Sequence, residues 1–229
     1  MDIKLIFQKN KNYFFEKVKI KSDRLSVRSF KIYADGALGS RGALLIEPYS
    51  DEANHHGLAL TSLAEIEKAA TEIAEHDFQL CTHCIGDSGN RNLLKVYQTA
   101  TAHKPNLRWR IEHAQVVHEN DFQLFEQSHT IPSIQPTHAT SDMYWAESRI
   151  GKERIKNAYA YKRLLQTTGI VAAGSDFPVE DINPLYGYYA AVVRKDKKNY
   201  PNEGFQKENA LTRVEALRAM TNWAAYANF

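Results

Sequence analysis

The chain has 229 residues, 43% of them hydrophobic, enough for a buried core, and this excludes a disordered tail or a disulfide-stapled miniprotein. Its 29 basic and 27 acidic side chains leave a net charge of +2, so no long-range field points to nucleic acid or a membrane surface as a partner. No apolar run approaches the ~18 residues of a membrane span and no signal-peptide order opens the sequence, so the expected location is cytoplasmic.

Residues 1–25 carry scattered lysines and short apolar clusters without a clear period, and they are expected to be an N-terminal remnant whose lysines form a solvated face. From residue 26 onward, short apolar runs ending in polar or glycine-bearing turns alternate with helical patterns. The spacing predicts strands over 26–32, 79–82, 108–111, 131–135 and 170–173. Between the first two, apolar residues at 63, 66, 69, 70 and 73 form one helical face, with Ser62 and Glu65 placed for a capping box. Helices are also predicted over 90–102, 119–127, 184–193 and 212–227, the last opening with Thr212 and Glu215. This βαβα order predicts a parallel sheet with covering helices, and 26–229 reads as one unit.

Each predicted strand ends in groups suited to metal ligation or proton transfer. Lys31 and Asp35 lie in FKIYADG, His83 and Asp87 in CTHCIGD, Glu112 and His113 in RIEH, His138 in QPTH, and Asp176 in AAGSDFPV. In parallel barrels the active site sits at the C-terminal ends of the strands, so such groups converge although they are far apart in sequence. Two imidazoles, an aspartate and a lysine at one rim suit a divalent metal of the zinc type. Cys81 and Cys84 flank His83, but residues three apart on a strand do not share a face, so joint metal binding by the two thiols is not expected. RKDKKNYP, beginning at Arg194, reads as a solvated loop.

At KIYADGALGSR, EPYSDEANHHGL, THCIGDSGN, RIEHAQ, SIQPTHATSD, RIGKERIKNAYAYK, AAGSDFPVE and ALTRVEALRAMTNWAAYA the sequence resembles the metal-dependent amidohydrolase superfamily. Within it, the resemblance is to the amidohydrolase family 3 branch that includes the N-substituted formamide deformylases. It implies a partial (β/α) TIM barrel of roughly strands four to eight. It also implies that Lys31 is the strand-four lysine that carbon dioxide can carboxylate to bridge two metals. His83 and His113 match the ligands of strands five and six. Asp176 matches the strand-eight aspartate that binds the first metal and moves protons. Arg41, Asp87, Glu112 and Arg149 are candidates to position substrate or to support the ligands, and each could instead serve a rim salt bridge; His138, at a strand end without a firm ligand role, is a candidate for the same supporting part.

The implied activity is hydrolysis of a non-peptide carbon–nitrogen bond in a small linear amide or N-acyl compound by metal-activated water, with Zn2+ as the default metal. The alternative is a binding or regulatory protein that keeps the barrel without catalysis. The family's His-x-His pair on the first strand has no counterpart here, His55 and His56 being adjacent, and 229 residues with long loops fall short of the ~250 of a whole barrel. The chain is therefore expected to be a fragment of a larger enzyme, inactive by itself and holding one ion or none where the parent holds one or two. The open barrel would expose sheet edges and could form a homo-oligomer.

Overall fold

The computed structural model describes residues 11–16 and 20–229. The remainder of the predicted N-terminal remnant, 1–10 and 17–19, lies outside the described residues. A helical stretch at 11–16 places Phe15 against Phe30 and Phe78, with ring centroids 5.3 and 5.8 Å apart, and stacks it on His76. Two short strands, β1 (Ile20–Lys21) and β2 (Ser26–Val27), pair antiparallel and lead into the main sheet.

That sheet is parallel and has five strands in sequence order: β3 (Ser29–Tyr33), β4 (Gln79–Cys84), β5 (Arg110–His113), β6 (Ile131–Ile134) and β7 (Ala172–Ala173). Each strand is added on the same side of the one before, and right-handed crossovers then place every connecting helix on one face. A doubly wound sheet would reverse its order; this one fits a partial barrel. The alternation of side chains marks the two faces. Thr82 points outward, where its hydroxyl meets the Tyr97 phenol at 2.6 Å, whereas Lys31, Cys81 and Arg110 share one register row on the other face.

The helices bury the outer face. α1 (Leu63–Glu75) turns Ile66, Ala69, Ala70 and Ile73 inward, and the Glu65 carboxylate accepts from Ser62 N at 3.1 Å and Ser62 Oγ at 2.6 Å. α2 (Asp87–Ala100) and α3 (Phe122–Gln127) follow β4 and β5. Between β6 and β7 the chain forms α4 (Pro136–Asp142), α5 (Ala146–Arg154) and α6 (Tyr161–Thr168), none of which the periodicity predicts. α5 contains Gly151 at φ 76, so it bends where its sequence already lacks a continuous apolar face. α7 (Pro184–Val193) has the predicted bounds. The predicted helix 212–227 is two, α8 (Arg213–Met220) and α9 (Asn222–Ala227), broken at Thr221 where φ is −125 and ψ is −91. Thr212 and Glu215 exchange both bonds of the capping box at 3.2 and 2.8 Å.

The C-terminal turn seals the N-terminal end of the strands. Gln79 donates to Ala227 O at 2.8 Å, and Arg110 donates to Ala227 O at 3.1 Å and Asn228 Oδ1 at 2.6 Å. The opposite end is left to the long β-to-α connections.

Candidate active site

Register alone places Tyr33 beside His83 and His83 beside Glu112, all at the C-terminal end of the sheet. By strict alternation His113 would follow Ile111 to the helix-covered face. The backbone prevents this: His113 has φ 80 and Ala114 φ 44, a left-handed turn that swings the His113 ring back over the rim. Its centroid lies 4.4 Å from that of His83 in an edge-to-face arrangement. His138, in the first turn of α4, stacks on His113 at 5.8 Å with 12° between the rings. The sequence offers His138 as a strand-end candidate for a supporting part and not as a neighbour of His113; Pro136 opening a helix at the strand's end is the signal that turns it toward the other two.

Each of the three rings keeps a buried nitrogen without a hydrogen-bond partner: His83 Nε2, His113 Nδ1 and His138 Nε2. Burial pushes the His83 imidazolium down to about 4 and His113 down to about 2, so both rings are neutral at ordinary pH. Burial also lowers the Lys31 ammonium, and the nearby Glu112, Cys81 and Asp176 partly oppose that shift. Lys31 Nζ lies 5.4 Å from the Tyr33 ring centre. Among the described residues no three His, Cys, Asp or Glu side chains stand together as a metal-holding group. The donor set fits a divalent ion nonetheless, because buried, unpartnered, neutral imidazoles beside a lysine of weakened basicity are costly unless something takes their lone pairs.

Asp176 sits at φ 60 after β7, solvent-exposed, with its carbonyl accepting from Val179 N at 2.9 Å. Glu112 is occupied by Arg110, whose Nε donates to it at 2.9 Å. Asp87 accepts from Ile46 N and Ser88 N, each at 2.9 Å, and so ties the connection after β3 to the start of α2. Arg41 clasps Asp51 with two bonds of 3.0 Å and lies 3.2 Å from Glu52, while Arg149 also donates to Asp51. These two arginines brace a rim loop, and His83, His113, His138 and Lys31 form a separate cluster. Cys81 faces Arg110 and Lys31, whereas Cys84 packs toward Gly89 of α2, so the two thiols point apart.

Asp35 carries more of this architecture than its sequence position suggested. It is fully buried, and its carboxylate accepts from Leu44 N at 2.9 Å, Ile85 N at 2.9 Å and Gly86 N at 2.8 Å. His83 Nε2 is 3.8 Å away. Burial raises the Asp35 pKa to about 7 against the pull of those amides. Gly86 is required beside it, because a Cβ there would fall 2.1 Å from Leu44 O.

RKDKKNYP is not a simple solvated stretch. Asp196 Oδ1 accepts from Lys198 N at 2.8 Å and Tyr200 N at 3.0 Å, so the loop is folded on itself, and it walls a cavity of about 770 Å3 beside α4.

The model of the amidohydrolase family matches residues 6–229. The chain is 33% identical over 217 residues to Protein LONG AFTER FAR-RED 3 of Arabidopsis thaliana, covering 93% of this chain and 37% of that protein. It is 32% identical over 210 residues to the putative amidohydrolase YtcJ of Bacillus subtilis (strain 168), covering 90% of this chain and 39% of that protein. It thus spans roughly two-fifths of the length of these curated relatives. An uncharacterised metal-dependent hydrolase from Pyrococcus horikoshii OT3 superposes with a TM-score of 0.85 at 27% identity, covering 97% of this chain and 44% of that one. A second, from Pyrococcus furiosus, gives 0.80 at 28%, again covering 97% and 44%.

Proposed function

The chain belongs to the amidohydrolase family, and from that premise we propose that the protein hydrolyses a non-peptide carbon–nitrogen bond in a small linear amide or N-acyl compound with the help of Zn2+ or a similar divalent ion. The observation that carries this reading is the pair of neutral, buried imidazoles of His83 and His113, 4.4 Å apart and each with an unpartnered nitrogen. His83 and His113 would hold the ion. Lys31 joins them if its amine adds carbon dioxide, releasing a proton and becoming an anionic carbamate. When bound, the metal supplies Lewis acidity toward the amide carbonyl and toward water. The Asp176 carboxylate takes the proton of the attacking water and returns it to the departing nitrogen, as general acid/base chemistry requires. Glu112 and Asp35 fix the electrostatics around the lysine and His83, and His138 guards the same rim.

Asp176 is exposed, so the chain alone offers an open rather than a water-controlled site, which supports the expectation that it is inactive by itself. Self-association through the outer edges of β3 and β7 belongs to the same proposal, since both strands end the sheet. No helix among the described residues is long and apolar enough to cross a membrane.

The test is kcat/KM on an N-acyl amine for the full-length protein supplied with Zn2+, wild type against Asp176→Asn. A loss of at least ~10²-fold is expected, the scale of a positioned acid/base. Equal rates would remove Asp176 from the reaction.

A further inference from the structure

The cavity of about 770 Å3 beside α4 falls within the range of small-molecule sites, and its walls are chemically uneven. Its lining includes three phenol rings, those of Tyr144, Tyr186 and Tyr189. Each is held in place by the loop after α7. Tyr144 stacks on Tyr200 at 5.7 Å and donates to Asp196, Tyr189 donates to Asn199, and Lys197 Nζ sits 3.7 Å above the Tyr186 ring. Rings fixed in this way lose little freedom when a flat partner stacks on them.

The same walls carry three lysines, Lys195, Lys197 and Lys198, against two carboxylates, Glu180 and Asp196. Lys197 is paired with Asp181 at 2.9 Å, Glu180 accepts from Ser141 Oγ at 2.6 Å, and Asp196 is taken by Tyr144 and two backbone amides. Among the described residues, Lys195 forms no salt bridge and is half-buried in the wall, while Lys198 makes no direct salt bridge but lies near enough to help the Tyr144 phenol hold the Asp196 carboxyl below its ordinary range. The buried Thr137 hydroxyl also has no partner. Thr137 precedes His138 on α4, and Glu180 lies on the loop that Asp176 begins, so the cavity adjoins the imidazole cluster instead of standing apart from it.

We propose that this cavity is a specificity pocket for an aromatic ring bearing a carboxylate, the part of an N-acyl substrate remote from the bond that is cut. The tyrosines stack on the ring, and Lys195, with Lys198 beside it, takes the carboxylate. The assignment of this group to a substrate rests on the hydrolase reading; its binding to the pocket does not require the metal.

Binding is therefore measured calorimetrically on this chain, metal-free, with 4-acetamidobenzoate (ring and carboxylate), acetanilide (ring alone) and N-acetyl-6-aminohexanoate (carboxylate alone). The first should bind about 10-fold or more tightly than either other probe, the scale of one charge-assisted contact. Lys195→Ala combined with Lys198→Ala should bring 4-acetamidobenzoate to the level of acetanilide, and Tyr189→Leu should bring it to that of the aliphatic acid, with circular dichroism unchanged. Equal binding of the three probes, no measurable binding of any, or a preference untouched in both variants overturns the proposal. A parallel Zn2+ titration separates the two readings: loss of metal binding with the probe preference intact would fault the hydrolase assignment, and the reverse would fault the pocket.

Discussion

His83 and His113 owe their neutrality to burial, and that has a measurable consequence for stability. An imidazole in the unfolded chain titrates near 6.5, whereas His83 in the fold titrates at about 4. Between these values the unfolded chain binds the extra proton, so the stability this group contributes is complete above 6.5 and is lost as pH falls toward 4. One such group tilts stability by about 1.4 kcal/mol per pH unit. With chelator present, denaturant melts from pH 6.5 to 4 should show wild type losing up to about 3 kcal/mol more than His83→Gln. Parallel slopes would mean that His83 is not buried as described. Asp35 is the second residue on which the rim depends. Asp35→Ala strands the buried amides of Leu44, Ile85 and Gly86, and at about 1–3 kcal/mol per unsatisfied group the loss of unfolding free energy should be at least about 3 kcal/mol. A loss under about 1 kcal/mol would show that the three amides find other partners.

At the scale of elements, the legible parts were those with local causes. α1 and α8 could be placed from Ser62 with Glu65 and Thr212 with Glu215, whereas the cap of α7, Asn183 Oδ1 accepting from Leu185 N at 3.0 Å, emerges only in the structure. α4, with the sequence PTHATSD, was illegible because short polar helices owe their form to tertiary packing; Tyr161 of α6 donates to Gln135 O at 2.9 Å and pins its start. The metal-type residues could be read from their strand-end positions, but the face that His113 occupies could not, since it depends on two left-handed residues and not on alternation. The loop after α7 departs from the solvated stretch its composition suggests for a related reason. Its anchor is Arg194, which is fully buried at φ 60, with its guanidinium donating to Phe205 O at 2.8 Å and Gln206 Oε1 at 3.2 Å. Burial lowers its pKa to about 10. Arg194→Met should release the loop while sparing the sheet, so amides of residues 195–204 should exchange at least ~10-fold faster with those of β4 unchanged. Uniform acceleration would instead indicate global destabilisation.

Across the whole molecule, the five parallel strands, the C-terminal turn that seals one end and the long connections that crown the other serve a single arrangement: three histidines and a lysine at one rim, next to a tyrosine-walled cavity. The central claim is that His83 and His113 bind a divalent ion together, and a calorimetric Zn2+ titration of this chain, wild type beside His113→Gln, tests it most directly. The account predicts one ion per wild-type chain and an affinity at least ~10-fold lower in the variant, since even residues behind a ligand cost 10- to 100-fold when removed. Indistinguishable Zn2+ binding by the two proteins would contradict it.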